Sequence, residues 1–223
     1  MSRKVESLRI ASSAGTLEAQ LDWPAEEPQG VGLLCHPHPL HGGSMHTKAL
    51  HRTARALVSA RIITLRFNFR GVGTSTGTFA QGDGELQDAG RALQHLQARW
   101  PGSPIVLGGF SFGSFIAMRL SLQHAMDIRF AALLALAPPV ELFDFGFLSD
   151  SRLPVLMIAG AEDPYCPLPA LAALHARIGG AAELVVIPAA GHLFLEQLDL
   201  LETTVQRFVT HRLASPEARH DAP

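Results

Sequence analysis

The chain has 223 residues, 47% of them hydrophobic and 17% charged, with a formal net charge of -2 and a sequence pI near 6.6. That length suits one domain with a full hydrophobic core, and the balance of charge gives no field for nucleic acid or an anionic membrane. Two cysteines, Cys35 and Cys166, cannot build a disulfide framework, no apolar stretch follows the basic start, and the run from Ala131 to Ala137 falls far short of the ~20 residues of a membrane helix, so a cytoplasmic protein is expected.

Taken in order, Leu8 to Ala11 and Leu17 to Trp23 flank Ser12-Ser13-Ala14-Gly15 and read as an antiparallel hairpin, closed off by Pro24 to Gly30. Val31 to Cys35 is a continuous apolar strand running into the loop His36-Pro37-His38-Pro39-Leu40-His41-Gly42-Gly43. Ser44 or Thr47 can cap a helix whose apolar positions Leu50, Ala54, Leu57 and Val58 recur at helical spacing up to Ala60. Ile62 to Phe67 has the bias of a central strand and opens a glycine-rich loop from Asn68 to Gly77; Asp83 and Glu85 suit the first turn of a helix reaching Trp100. Pro104 to Gly108 is a buried strand, a helix from Ser114 ends near His124, and Phe130 to Ala137 is another strand. After the connection from Pro138 to Leu153, Pro154 to Gly160 and Glu183 to Pro188 read as strands, Leu168 to Ile178 as a helix stopped by two glycines, and Leu193 to Leu213 as a closing helix. Such alternation specifies an α/β architecture: a mostly parallel twisted sheet of about eight strands, helices on both faces, ligands at the strands' carboxyl ends, and little or no cap. One domain over 1–213 with a loose tail from Ala214 to Pro223 is the expectation.

The chemistry centres on Gly109-Phe110-Ser111-Phe112-Gly113, between an apolar strand and a helix, the context in which a strained turn projects a serine hydroxyl from the sheet edge. The same turn aims the Phe112 N–H and the positive end of the following helix at the place where an oxyanion would form. A serine nucleophile needs a base and a carboxylate to orient it. Asp163, just past the penultimate strand, and His192, just past the last, supply both in the order serine, acid, histidine, with Glu162 as the fallback acid.

Gly109 to Gly113, the Asp163 loop and Gly191-His192 resemble the α/β-hydrolase superfamily over nearly the whole chain. More narrowly, His36-Pro37-His38-Pro39, Gly42-Gly43, Leu65 to Gly73 and the serine pentapeptide resemble its small dienelactone-hydrolase-like branch of predicted serine esterases. Dienelactone hydrolases proper have cysteine at the Ser111 position, which argues against dienelactone as substrate, and the branch often has asparagine where Thr47 stands. The resemblance implies a second oxyanion donor from the loop after the third strand. Pro37 and Pro39 have no N–H, so His38 is the expected donor with Leu40 behind it.

Other chemistries compete for the same residues. His36, His38 and His41 reproduce the histidine spacing of a zinc-hydrolase motif, but Leu40 stands where that motif has aspartate. The loop Gly71 to Gly77 has neither nucleotide-binding spacing. A non-catalytic binding protein of the same fold is the remaining competitor. The expected protein is therefore a carboxylesterase-like serine hydrolase cleaving short-to-medium acyl esters through an acyl-enzyme, with thioesterase, lactonase and peptidase activities as alternatives on the same fold. It is expected to need no cofactor or metal, to take a small-molecule acyl substrate and neither nucleic acid nor membrane as partner, and to be a monomer or homodimer. Phe143, Phe145 and Phe147, at every second residue, are expected to turn to one side and, with Leu40, line the substrate pocket.

Overall fold

The computed structural model of the chain describes residues 4–128, 130–150 and 153–214. β1 (Val5–Ser12) and β2 (Gly15–Asp22) pair antiparallel across Ser13-Ala14, and alternation along them buries Ile10, Leu17, Ala19 and Leu21 while their neighbours face outward. β2 pairs antiparallel with β4 (Ile62–Phe67). The remaining pairings, through β3 (Gly30–Cys35), β5 (Ile105–Phe110), β6 (Phe130–Leu136), β7 (Val155–Gly160) and β8 (Ala182–Ile187), are parallel. The eight strands lie in the order β1-β2-β4-β3-β5-β6-β7-β8.

Strands β3 to β7 are buried on both sides, and apolar apart from Thr64 and Arg66 of β4, because helices cover both. α1 (Lys48–Ser59) and α5 (Leu198–Ala214) pack on one face with Leu34, Val106, Leu134 and Ile158. α2 (Asp83–Arg99), α3 (Phe112–Gln123) and α4 (Leu168–Ile178) pack on the other with Leu33, Leu107, Leu133 and Met157. Strand order reverses between β3 and β5, so the loops at their carboxyl ends diverge and leave a crevice. The open, mostly parallel sheet with helices on both sides is the expected architecture.

Four local expectations are corrected. The closing helix begins at Leu198, not Leu193: Phe194, at φ 52°, buries its ring against Phe110 and turns residues 193–197 out of helical register. Thr47 occupies the N-cap of α1, but its hydroxyl accepts from the Ser44 N–H (3.3 Å) and leaves the first helical turn uncapped. The stretch after Phe143 does not stay extended, because Gly146–Asp150 closes into a 3-10 turn. Ala214 ends α5 and so does not belong to a tail; residues 215–223 lie outside the described residues. Between Pro139 and Leu153 the described residues contain no α-helix, and no described helix is long and apolar enough to cross a membrane.

Candidate active site

β5 delivers Ser111 at the centre of the crevice. Its backbone, at φ 54° and ψ -124°, lies in a region that side chains seldom adopt, and the Ser111 N–H donates to the Leu136 carbonyl (2.8 Å), tying the turn to β6. The flanking glycines are dictated by contact: a Cβ on Gly109 would fall on the Gly113 carbonyl, and one on Gly113 on the carbonyls of Cys35 and His36. Helix α3 can therefore start directly against β3 with the serine at its mouth.

β7 and β8 deliver the partners. His192 Nε2 lies 2.9 Å from Ser111 Oγ, and its Nδ1 lies 2.8 Å from Asp163 Oδ2. A carboxylate only accepts, so Nδ1 carries the imidazole proton and Nε2 is left to accept from the serine hydroxyl. The Asp163 side chain is fully buried, and its other oxygen accepts the Tyr165 N–H (2.9 Å). Glu162, the fallback acid, is exposed; its N–H donates to the Ala190 carbonyl (2.9 Å), fastening the acid loop to the histidine loop. The imidazole sits between Phe110, buried beneath it with ring centroids 5.3 Å apart, and the edge-on, half-exposed Tyr165 at 4.9 Å.

The loop after β3 is anchored by His36. Its Nε2 accepts the Phe69 N–H (3.0 Å), so its Nδ1 holds the proton and donates to the Pro37 carbonyl (2.6 Å). Burial pulls its pKa down to about 4, and both nitrogens are spent on the backbone, which removes it from any metal-ligand set. Among the described residues no three His, Cys, Asp or Glu side chains are grouped to hold a metal ion. His38 Nδ1 accepts the Leu40 N–H (3.2 Å), which uses the donor that Leu40 had to offer. Burial, then the neighbouring His41, lowers the His38 pKa.

The sequence from Leu65 to Gly73 turns out to be scaffolding for this loop. Arg66 ion-pairs with Asp22 (2.9 Å) and donates to the Met45 carbonyl (2.7 Å), while Asn68 accepts the Met45 N–H (2.8 Å). Arg70 grips Asp88 with two parallel bonds of 2.9 Å, docking the β4 loop on α2.

A cavity of about 540 Å³ opens over Ser111 and His192, with His38, Phe112 and Phe143 among its walls. Three expected pocket residues are elsewhere. Leu40 points to solvent at 68% exposure, Phe145 is buried in the core, and Phe147 packs beside it against Phe115, because the 3-10 turn rotates them off the line of Phe143. Pro139, Leu142, Tyr165 and Leu193 line the cavity instead. Sequence reading passed over Tyr165, although its place two residues after Asp163 was the available signal.

An eight-stranded α/β sheet with a serine on a strained turn after a central strand, bonded to a histidine and an acid from the last two strand ends, defines an α/β hydrolase of the serine type. The chain belongs to the α/β-hydrolase superfamily, among its serine hydrolases. Residues 38–143 match the family model described as serine aminopeptidase, S33, and residues 145–220 the one described as TAP-like protein. An alpha-beta serine hydrolase homologue from Coxiella burnetii is 35% identical with a TM-score of 0.84, covering 91% of this chain and 96% of its own. A lidless α/β serine hydrolase from Xanthomonas campestris is 30% identical with a TM-score of 0.86, covering 96% and 98%. An uncharacterized protein of Rickettsia prowazekii is 41% identical over 138 residues, 60% of this chain but only 56% of that protein.

Proposed function

We propose that the chain is a carboxylesterase-type serine hydrolase acting on short-to-medium acyl esters. The observation that carries the reading is the unbroken chain of hydrogen bonds from Ser111 Oγ through His192 to the buried Asp163, opening on a cavity. Ser111 Oγ attacks the ester carbonyl while His192 Nε2 takes its proton, and Asp163 supports the imidazolium that results. The Phe112 N–H, at the start of α3 where no helical carbonyl can use it, and the His38 N–H stabilise the oxyanion. The imidazolium then gives its proton to the departing alkoxide, leaving an acyl group on Ser111. A water deprotonated by Nε2 releases the acid and restores the serine. No metal enters any step, so EDTA is expected to leave the rate unchanged; loss in EDTA with recovery on zinc would overturn this.

The match to an aminopeptidase model favours a second reading, amide hydrolysis. An aminopeptidase must hold a free ammonium, and the lining of the cavity includes no carboxylate for it. Purified protein assayed with p-nitrophenyl esters and aminoacyl p-nitroanilides separates the two, with cleavage of the esters expected. A serine-directed phosphonate should label Ser111; labelling elsewhere, or ester cleavage surviving Ser111→Ala, would end the proposal.

A further inference from the structure

Four aromatic or imidazole rings run in series along the cavity, each in contact with the next. His41 stacks on His38 with centroids 4.5 Å apart and planes 22° from parallel; His38 tilts against Phe112 at 5.0 Å, and Phe112 against Phe143 at 5.8 Å. All four line the cavity. The middle pair also adjoins Ser111, since Phe112 follows it in the chain and His38 lines the same cavity. An aromatic arm of an ester held at Ser111 therefore has the imidazole pair and Phe143 within the same cavity to meet, with Leu142 and Pro139 completing the apolar lining. Among the described residues that line it there is no Lys, Arg, Asp or Glu, so this described wall offers no fixed charge to a charged arm.

We infer that the site selects esters carrying an aromatic ring, held by the faces and edges of this ring series. The inference rests on the esterase reading above and deepens it by naming a substrate class. Ring-to-ring contacts add to burial of apolar area only when both partners are aromatic, which separates recognition of a ring from recognition of bulk. His41 is the ring whose role is least entangled with folding, because it is exposed and its nitrogens have no hydrogen-bond partner among the described residues.

The test uses two pairs of esters similar in size, benzyl acetate against cyclohexylmethyl acetate and methyl phenylacetate against methyl cyclohexylacetate, with each kcat/KM divided by the same ester's rate of alkaline hydrolysis to remove intrinsic reactivity. In the wild-type protein kcat/KM is expected to favour the phenyl member by about three- to tenfold in at least one pair, the range that a single aromatic contact supports. His41→Asn, which keeps a polar group and removes the ring, should bring the ratio of one pair down toward one; His41→Phe should retain it. Phe143→Leu should also lower the ratio of at least one pair. Hydrolysis of all four esters with phenyl-to-cyclohexyl ratios near one would overturn the inference while leaving the esterase reading intact. Equal ratios in His41→Asn and His41→Phe would overturn the role given to the imidazole pair. Failure to cleave any of the four, with Ser111 unlabelled by phosphonate, would overturn both readings together.

Discussion

Replacing Ser111 by glycine should stabilise the fold relative to replacing it by alanine, although both variants are expected to be inactive. The serine is held at φ 54° and ψ -124°, where a Cβ costs about 1–3 kcal/mol and glycine is at ease. Against that, glycine gives up about 0.5–1 kcal/mol more backbone entropy on folding than alanine. The residue is only partly buried, so loss of one methyl changes apolar burial by less than about 0.8 kcal/mol. The balance leaves Ser111→Gly about 1 kcal/mol more stable than Ser111→Ala, or ~2–4 °C in Tm for a chain of this size. Both variants lose the hydroxyl's bond to His192, worth about 0.5–1.5 kcal/mol, so that term cancels in the difference. Urea and thermal unfolding of the two proteins side by side provide the measurement. If Ser111→Gly were equal to or less stable than Ser111→Ala, the turn would not be storing strain.

His36, buried neutral with its pKa near 4 against 6.5 in an unfolded chain, makes stability full above pH ~6.5 and progressively lost down to pH ~4. The loss is about 3 kcal/mol at 1.36 kcal/mol per unit, and His36→Leu, though less stable at pH 7, should flatten that slope when unfolding is followed across the range. Removing the carboxylate that Arg70 grips, by Asp88→Ala, strands a half-buried guanidinium and should cost about 3–5 kcal/mol in urea unfolding; a loss below about 1 kcal/mol would show the pair to be ornamental. Across p-nitrophenyl esters of rising length, kcat/KM should climb over the first few carbons, at ~0.8 kcal/mol per buried methylene, and then fall. It should show no jump at the substrate's micellar concentration, because the described residues of the connection after β6 hold no α-helix to open; continued rise through long chains would contradict a cavity of this size.

The strand-helix alternation was legible because β3, β5, β6 and β7 are unbroken apolar runs, β4 is rich in β-branched and aromatic residues, and the helices carry spaced apolar faces. Ser111, Asp163 and His192 were legible for the same reason: each stands immediately past such a run, and the topology brings carboxyl ends together. What failed depended on partners distant in sequence. Phe143, Phe145 and Phe147 have a period of two, yet the 3-10 turn at Gly146 sends the last two into the core. Residues 193–197 carry apolar spacing that suits a helix, but burial of Phe194 against Phe110 wins. The Leu65 to Gly73 motif was recognisable as a pattern, while its meaning lies in Asp22, Met45 and Asp88, which no spacing rule connects to it.

His192 and Asp163, the base and acid of the proposed mechanism, follow β8 and β7, and β8 is the outermost strand of the sheet, paired on one side only and partly exposed along its length. The nucleophile stands on β5, flanked by β3 and β6. The reacting groups thus straddle a gradient of local protection, from strands that open only when the whole domain unfolds to one that can fray alone. Brief departure of β8 would carry His192 away from Ser111, so activity is expected to fall with the hold of the last strand and of the Glu162–Ala190 backbone bond before global unfolding sets in. Warmed gently, such a molecule idles before it melts.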